Sequence, residues 1–305
     1  MELVRAIFLG EAMLELSPAD GDLWRLRHGG DTLNSAVHMS RLGIGTAFIT
    51  ALGSDDFSQR LRQDWASEGL DTDFVLTHPA RTPGLYAIST DDNGERHFSY
   101  WRDNSAAREM FALPGMDGVL EKAAQAELFG FSLISLAILP PEGRERLFDF
   151  CRALRRRGGR VAYDSNYRPR LWPSPEAAAE AHGRAISLAD IGLPTLEDET
   201  LLTGEGSARD VARFWSGRGC GEVVVKLGAD GCLLPDGTLS PTTPHASPVD
   251  TSGAGDAFNA GYLFGRLKGY SAEASAGIGH RLAGWVVLHR GAIPARDPDF
   301  YRQLA

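Results

Sequence analysis

Short runs of uninterrupted apolar residues alternate along this chain with longer amphipathic stretches, and that rhythm restricts the fold more than any other feature. Ala6–Leu9, Thr46–Leu52, Leu128–Ser132, Arg160–Asp164, residues 191–193 and residues 223–227 read as strands buried on both faces. Between them, residues 34–42, 57–68, 142–157, 176–189 and 208–217 read as helices, with Gly43 and Gly69 closing the first two. A strand apolar on both sides needs helices over both sides. The pattern therefore predicts an α/β fold: a doubly wound, mainly parallel sheet with helices on both faces, binding its ligands at the carboxyl ends of the strands. A length of 305 residues suits one such domain, spanning 1–305, with room for a small appendage.

The appendage has its own signal. Residues 74–101 are strand-like and contain no helical period, and Asn93-Gly94 is a strong hairpin turn signal. Together with the stretch 13–27 they predict a small β-sheet built from two insertions, approximately 13–33 and 74–103. Such a sheet is a lid over a substrate, an interface between copies, or both. Its exposed edge leads us to expect a homo-oligomer associated through the lid.

Charge and composition narrow the function. A net charge of −9 argues against nucleic acid or an anionic membrane as a partner, but not against an anionic small molecule, which responds to local charge. The three cysteines, Cys151, Cys220 and Cys232, have no metal-type spacing and fit a reduced cytoplasm, which is the expected location. No His-Glu-x-x-His or Gly-Lys-Ser/Thr pattern occurs, which disfavours a zinc hydrolase and a P-loop kinase. The longest apolar run, 128–139, is shorter than the roughly 20 residues of a membrane helix. Met1 is not followed by a basic head and long apolar stretch.

The clearest chemistry lies in residues 249–261, Val-Asp-Thr-Ser-Gly-Ala-Gly-Asp-Ala-Phe-Asn-Ala-Gly. Gly253, Ala254 and Gly255 let the backbone bring its N–H groups close to a ligand. The small, apolar run 257–267 reads as a helix, so those groups lie at a helix N-terminus, where anions are stabilised. Asp256 stands at the same turn. An anion cradle with a carboxylate beside it is what phosphoryl transfer to an alcohol requires. The alternative is a plain strand-to-helix connection with Asp256 as its cap.

Three further blocks carry polar chemistry. Gly29-Gly30-Asp31-Thr32-Leu33-Asn34 is either a capped glycine loop or a site for hydroxyl groups, to which an Asn amide offers both donors and acceptors. Ser99-Tyr100-Trp101-Arg102 ends the lid hairpin. Asn166-Tyr167-Arg168-Pro169-Arg170-Leu171-Trp172 follows the strand ending at Asp164, on the ligand side of the sheet. Either arginine block also reads as a surface loop held by ion pairs. If Arg102 and Arg168 share one pocket, they indicate a carboxylate, which guanidinium binds bidentately. That points to a sugar acid. Lys226-Leu227-Gly228-Ala229-Asp230-Gly231 reads as a strand followed by a glycine turn.

In this order, from near residue 6 to near residue 294, the blocks resemble the ribokinase-like (PfkB) carbohydrate kinases. The Tyr100-Trp101-Arg102 and Asn166–172 blocks are similar to those of members acting on sugar acids. The resemblance implies that Asp256 is the catalytic base and that Gly253, Ala254 and Gly255 form the anion hole. Gly30, Asp31, Asn34, Tyr86, Tyr100, Arg102 and Arg168 are then the substrate contacts, and Asn166, Thr195, Lys226, Gly228 and Gly231 lie on the ATP side. The family's Asn-x-x-Glu, which orders water around Mg2+, stands here as Thr195-x-x-Asp198, so the metal contact is expected to be indirect, through Asp198 or Glu199. The expected partners are a small sugar acid and MgATP, with transfer to the acid's terminal hydroxyl. Two other readings remain: a kinase of the same fold for a neutral sugar such as fructose, and a non-catalytic sugar-binding regulator.

Overall fold

A computed structural model describes residues 4–19, 22–90, 96–243 and 247–305. The first half of the chain runs β1 (Ala6–Leu9), β2 (Met13–Pro18), β3 (Trp24–Gly29), α1 (Asp31–Arg41), β4 (Thr46–Leu52), α2 (Asp56–Ser67), β5 (Leu70–Asp71), β6 (Val75–Thr77), β7 (Gly84–Thr90) and β8 (Arg96–Trp101). It continues through α3 (Met116–Ala123), β9 (Leu128–Ser132), α4 (Leu133–Ile138), α5 (Pro141–Arg156), β10 (Arg160–Asp164), α6 (Pro175–Leu188), β11 (Ile191–Gly192), α7 (Leu196–Thr203) and α8 (Ala208–Ser216). The last part is β12 (Glu222–Val223), β13 (Val225–Lys226), β14 (Cys232–Leu233), β15 (Leu239–Ser240), α9 (Ala254–Leu267), α10 (Ala272–Val286) and α11 (Pro298–Leu304).

The large sheet has the order β12-β11-β10-β9-β1-β4-β5, with β6 also paired to β4, and its pairings are parallel. Successive side chains of a strand point to opposite faces, and β1 divides accordingly. Ala6 and Phe8 join the core shared with α1, α9 and α10, whereas Ile7 and Leu9 join the core shared with α5 and α6. Each face thus has its own helical cover, as a doubly wound sheet requires. Strand order reverses beside β1, and the loops leaving β1, β9, β10 and β11 open on one edge.

The lid is a separate four-stranded sheet of order β3-β2-β7-β8, in which the two insertions meet through the parallel pair β2–β7. Its register gives it two unlike faces. Glu15, Tyr86 and Tyr100 lie together on one, and Leu14, Leu85 and Trp101 on the other. The Asn93-Gly94 turn lies outside the described residues.

Residues 75–77, expected in the lid, instead pair as β6 with β4 in the large sheet, and three further differences from the sequence reading shape the site. Helix α1 begins at Asp31 rather than 34, because Gly30 is its N-cap. The strand expected over 223–227 is divided: β12 stays in the large sheet while β13 pairs with β14. Helix α9 begins at Ala254 rather than 257, so Gly255 and Asp256 lie in its first turn instead of in a loop before it. Its N-cap, Gly253, has φ 73°, and a Cβ there would lie 2.5 Å from the Ala292 Cβ. Glycine is required on both counts.

Helices α9 and α10 approach at backbone contact. A Cβ on Gly261 would come within 2.7 Å of the Gly279 Cα, and one on Gly265 within 2.5 Å of the Ser275 Oγ. Close packing of this kind leaves no slack for sliding.

Candidate active site

The N-termini of α1 and α9 converge at the ligand edge of the sheet. Asn34 Nδ2 donates to the Asp256 carboxylate at 2.7 Å, and Ser35 Oγ donates to the Asp256 backbone carbonyl at 3.0 Å. The N–H groups in the first turn of α9 have no intrahelical acceptor, and they share that turn with Asp256. Burial in the cleft, reinforced by the Asp31 and Asp164 carboxylates, pushes the Asp256 carboxyl up to about 8 against the opposing pull of Asn34 and Lys226. A carboxyl so placed is a better proton acceptor than a free aspartate.

Around it the polar groups form one network. Asp31 accepts from its neighbour's backbone, Thr32 N, at 2.8 Å and from Asn166 Nδ2 at 2.9 Å, and burial raises its carboxyl also. Lys226 Nζ donates to Asp164 at 3.0 Å and to Asn259 Oδ1 at 3.1 Å, and Asn259 Nδ2 donates to Asp164 at 2.7 Å. Asn166, which the resemblance puts on the ATP side, gives its amide to Asp31. The sequence reading had Asp164 only as a strand end and Asn259 only as a motif member, neither as a site residue. The strand-end rule could have flagged the first, and the three-residue spacing from Asp256 along one helix face the second.

Of the expected sugar contacts, Tyr86 and Tyr100 stand on the lid strands β7 and β8, Arg102 just beyond β8, Gly30, Asp31 and Asn34 at the start of α1, and Arg168 in the loop after β10. Gly30 sits where a Cβ would be 2.2 Å from the Glu11 carbonyl, so the chain passes there only as glycine. The Tyr86 hydroxyl donates to Glu15, and burial raises its pKa. Tyr86 and Tyr100 lie with ring centroids 5.9 Å apart, Tyr100 the more exposed of the two. Neither expected arginine stands alone. Arg102 is buried against Glu11, and the half-exposed Arg168 donates to Tyr167 O at 2.7 Å and to Asp198 at 3.2 Å.

A cavity of about 350 Å3 occupies the other side of α9's N-terminus. Lys226, Gly228, Gly231, Thr251, Ala254, Gly255, Phe258, His280 and Val287 line it. Gly228 and Gly231 have φ 60° and 96°, and a Cβ on Gly231 would strike the Ser240 carbonyl at 2.1 Å. Thr195 caps α7 beside this cavity and bridges to Lys226. Of the two acidic candidates for the metal, only Asp198 remains. Glu199 is fully buried and turned onto His182, which removes it from the cleft.

A helix N-terminus with open amides, an adjacent activated carboxyl and a cavity beyond them define a phosphotransferase of the ribokinase-like class. The chain matches the pfkB family carbohydrate kinase description over residues 6–298 and belongs to that family. It is 43% identical over 295 residues to the 2-dehydro-3-deoxygluconokinase of Dickeya dadantii, covering 93% of this chain and 95% of that one. It is 38% identical over 296 residues to the Haemophilus influenzae protein of the same name, covering 94% of each. Its fold is similar to that of the Salmonella enterica aminoimidazole riboside kinase solved with aminoimidazole riboside and an ATP analog, with a TM-score of 0.83 and 27% identity over 98% of this chain and 99% of that one. Among the described residues, no helix is long and apolar enough to cross a membrane.

Proposed function

We propose that this protein is an ATP-dependent kinase that phosphorylates the terminal (6-) hydroxyl of 2-keto-3-deoxygluconate, giving 2-keto-3-deoxy-6-phosphogluconate and ADP. The observation carrying this reading is the Asp256 carboxyl, pushed up to about 8 in the same turn as the open amides of α9. The identity to the Dickeya and Haemophilus kinases supports the choice of acceptor.

In this mechanism the glycine-lined cavity takes the nucleotide, and its phosphates meet the N-terminus of α9. Asp256, oriented by Asn34, holds the acceptor hydroxyl and takes its proton late, because the transition state is largely dissociative. The amides of α9 and the Lys226 ammonium oppose the charge that develops on the transferred group. Magnesium bound with the nucleotide would neutralise phosphate charge. Asp198 fits the task of holding its water, being a partly exposed carboxylate whose electrostatic neighbours are Asp164, Lys226 and Arg168. Arg168 and Arg102 bind the acid's carboxylate, while Gly30, Asp31 and Tyr86 serve the hydroxyl-bearing carbons. The lid closes over the sugar and excludes water.

Association of two copies through the lid belongs to the same proposal. Trp24 and Trp101 lie on the Leu14 face of the lid at 52% and 60% exposure. Sedimentation that finds only monomer removes this part.

The test is ADP release in a coupled assay with MgATP, comparing 2-keto-3-deoxygluconate with fructose, ribose and adenosine. Preference for the keto acid supports the assignment. Activity on a neutral sugar alone keeps the kinase and discards the carboxylate reading, and no ADP release with any acceptor revives the regulator.

A further inference from the structure

The chain crosses between the large sheet and the lid at four places: after β1, before α1, at the start of β7 and after β8. Glu11 touches the other three. A Cβ on Gly30 would lie 2.2 Å from its carbonyl, and one on Gly84 would lie 2.9 Å from its Oε1 and 3.1 Å from the Arg102 Cβ. Gly30 thus makes room for the Glu11 backbone, and Gly84 for its carboxylate.

That carboxylate meets Arg102 in a pair that is almost wholly buried, at 1% side-chain exposure for Glu11 and 7% for Arg102. The pair is single-pronged. Arg102 Nη2 donates to Glu11 Oε2, while Arg102 Nε and Glu11 Oε1 are buried without a hydrogen-bond partner among the described residues. Guanidinium and carboxylate usually match through two bonds, and buried polar atoms are rarely left unmatched. Arg102 lies two residues beyond Tyr100, so the alternation of β8 carries it onto the Tyr86–Tyr100 face of the lid.

We infer that Glu11 is a positioning residue for acid recognition: by holding one nitrogen of Arg102 at the lid root, it keeps the rest of the guanidinium directed to the substrate carboxylate. This rests on the sugar-acid reading above. Without Glu11 the guanidinium becomes an uncompensated buried charge, and such a group leaves its place rather than staying unpaired. The carboxylate of the substrate then loses a fixed donor set, while the hydroxyl end and the nucleotide keep theirs.

The experiment compares Glu11→Gln, which keeps the shape and removes the charge, with Glu11→Asp, which keeps the charge. Each variant is assayed with 2-keto-3-deoxygluconate and with its carboxamide, in which the carboxylate is neutral. We expect Glu11→Gln to raise KM for the acid about tenfold or more, a loss of the size measured for a hydrogen bond to a charged group. KM for the amide and for ATP should stay near wild type, and Glu11→Asp should recover most of the acid's affinity. An unchanged or lower acid KM in Glu11→Gln overturns the inference. So does an equal rise for acid and amide, which a merely structural strut would give. If Glu11→Gln does not fold, Glu11→Ala decides: a larger KM rise for acid than for amide supports the inference, and equal or absent rises overturn it. Wild-type protein inactive on the keto acid would instead sink the functional assignment, and is seen before any variant is made.

Discussion

On the proposed assignment of the site, the two halves of the cleft recognise by different means. On the nucleotide side the lining is backbone, small residues and apolar surface: Gly228, Gly231, Ala254, Gly255, Phe258 and Val287, with Lys226 as the buried cation. On the sugar side nearly every named residue is a charged or polar side chain already matched to another: Glu15 with Tyr86, Glu11 with Arg102, Asp31 with Asn166, Asn34 with Asp256, Asp198 with Arg168. The first half needs space and open amides, and tolerates any change that keeps both. In the second half each replacement strands a partner, so selectivity is concentrated there.

Asp256 joins the halves, and its loss should have the largest effect. Asp256→Asn is expected to lower kcat by about 10²–10⁴-fold, the usual worth of a positioned base, with an unchanged circular dichroism spectrum. Near-normal turnover would take Asp256 out of the base role. Next comes the sugar side. Arg168→Ala should raise KM for the keto acid by roughly 10–100-fold, as loss of a charged hydrogen bond does, and leave the carboxamide unaffected. Equal weakening of both would mean that this half does not read charge.

The nucleotide side should fail through its backbone. Gly231→Ala forces a Cβ into the Ser240 carbonyl at a positive φ, a strain of about 1–3 kcal/mol. It should raise KM for ATP while calorimetry finds the keto acid bound as before, and coupled loss of both would break the division between halves.

The smallest effects concern pH. For wild type, kcat/KM should climb with pH to a plateau above the Asp256 value of about 8, since the free enzyme's base must be ionised. Stability runs the other way. The folded Asp256 keeps its proton to about 8, while the unfolded one releases it near the ordinary aspartate value, so this group's contribution to stability falls as pH rises between the two. Asp256→Asn should therefore melt a few degrees above wild type at pH 8 and no higher at pH 4. Each pKa unit is worth at most about 1.4 kcal/mol, and less for a side chain that keeps some exposure. Identical melting temperatures at both pH values would mean that the cleft does not hold Asp256 protonated.

The same division explains what could be read from the sequence. The alternation of apolar runs specified four strands of the large sheet residue for residue, because Ala6–Leu9, Thr46–Leu52, Leu128–Ser132 and Arg160–Asp164 are buried on both faces and admit no other period, while the short β5 and β6 carry too few residues to show one. The glycines and Asp256 of the nucleotide side were also visible, since backbone geometry selects residue type at a fixed spacing. The sugar side was read less fully. Arg102 and Arg168 stood out as cations, but Glu11 and Asp198 pair with them across 91 and 30 positions in sequence. No local pattern announces such a pair. Glu199 misled because adjacent helical residues do not face the same way, and one step along α7 turns the side chain from the cleft to His182.

The glycine contact between α9 and α10 has a further consequence. With Gly261 against Gly279 and Gly265 against Ser275, the helix that carries Asp256 is seated against its neighbour like a part bolted to a frame, and the phosphate end of the reaction serves as a fixed datum. On the function proposed above, the lid then brings the acceptor to that datum. A lineage descended from such a chain can retool the lid for a new alcohol without disturbing the machinery that delivers phosphate.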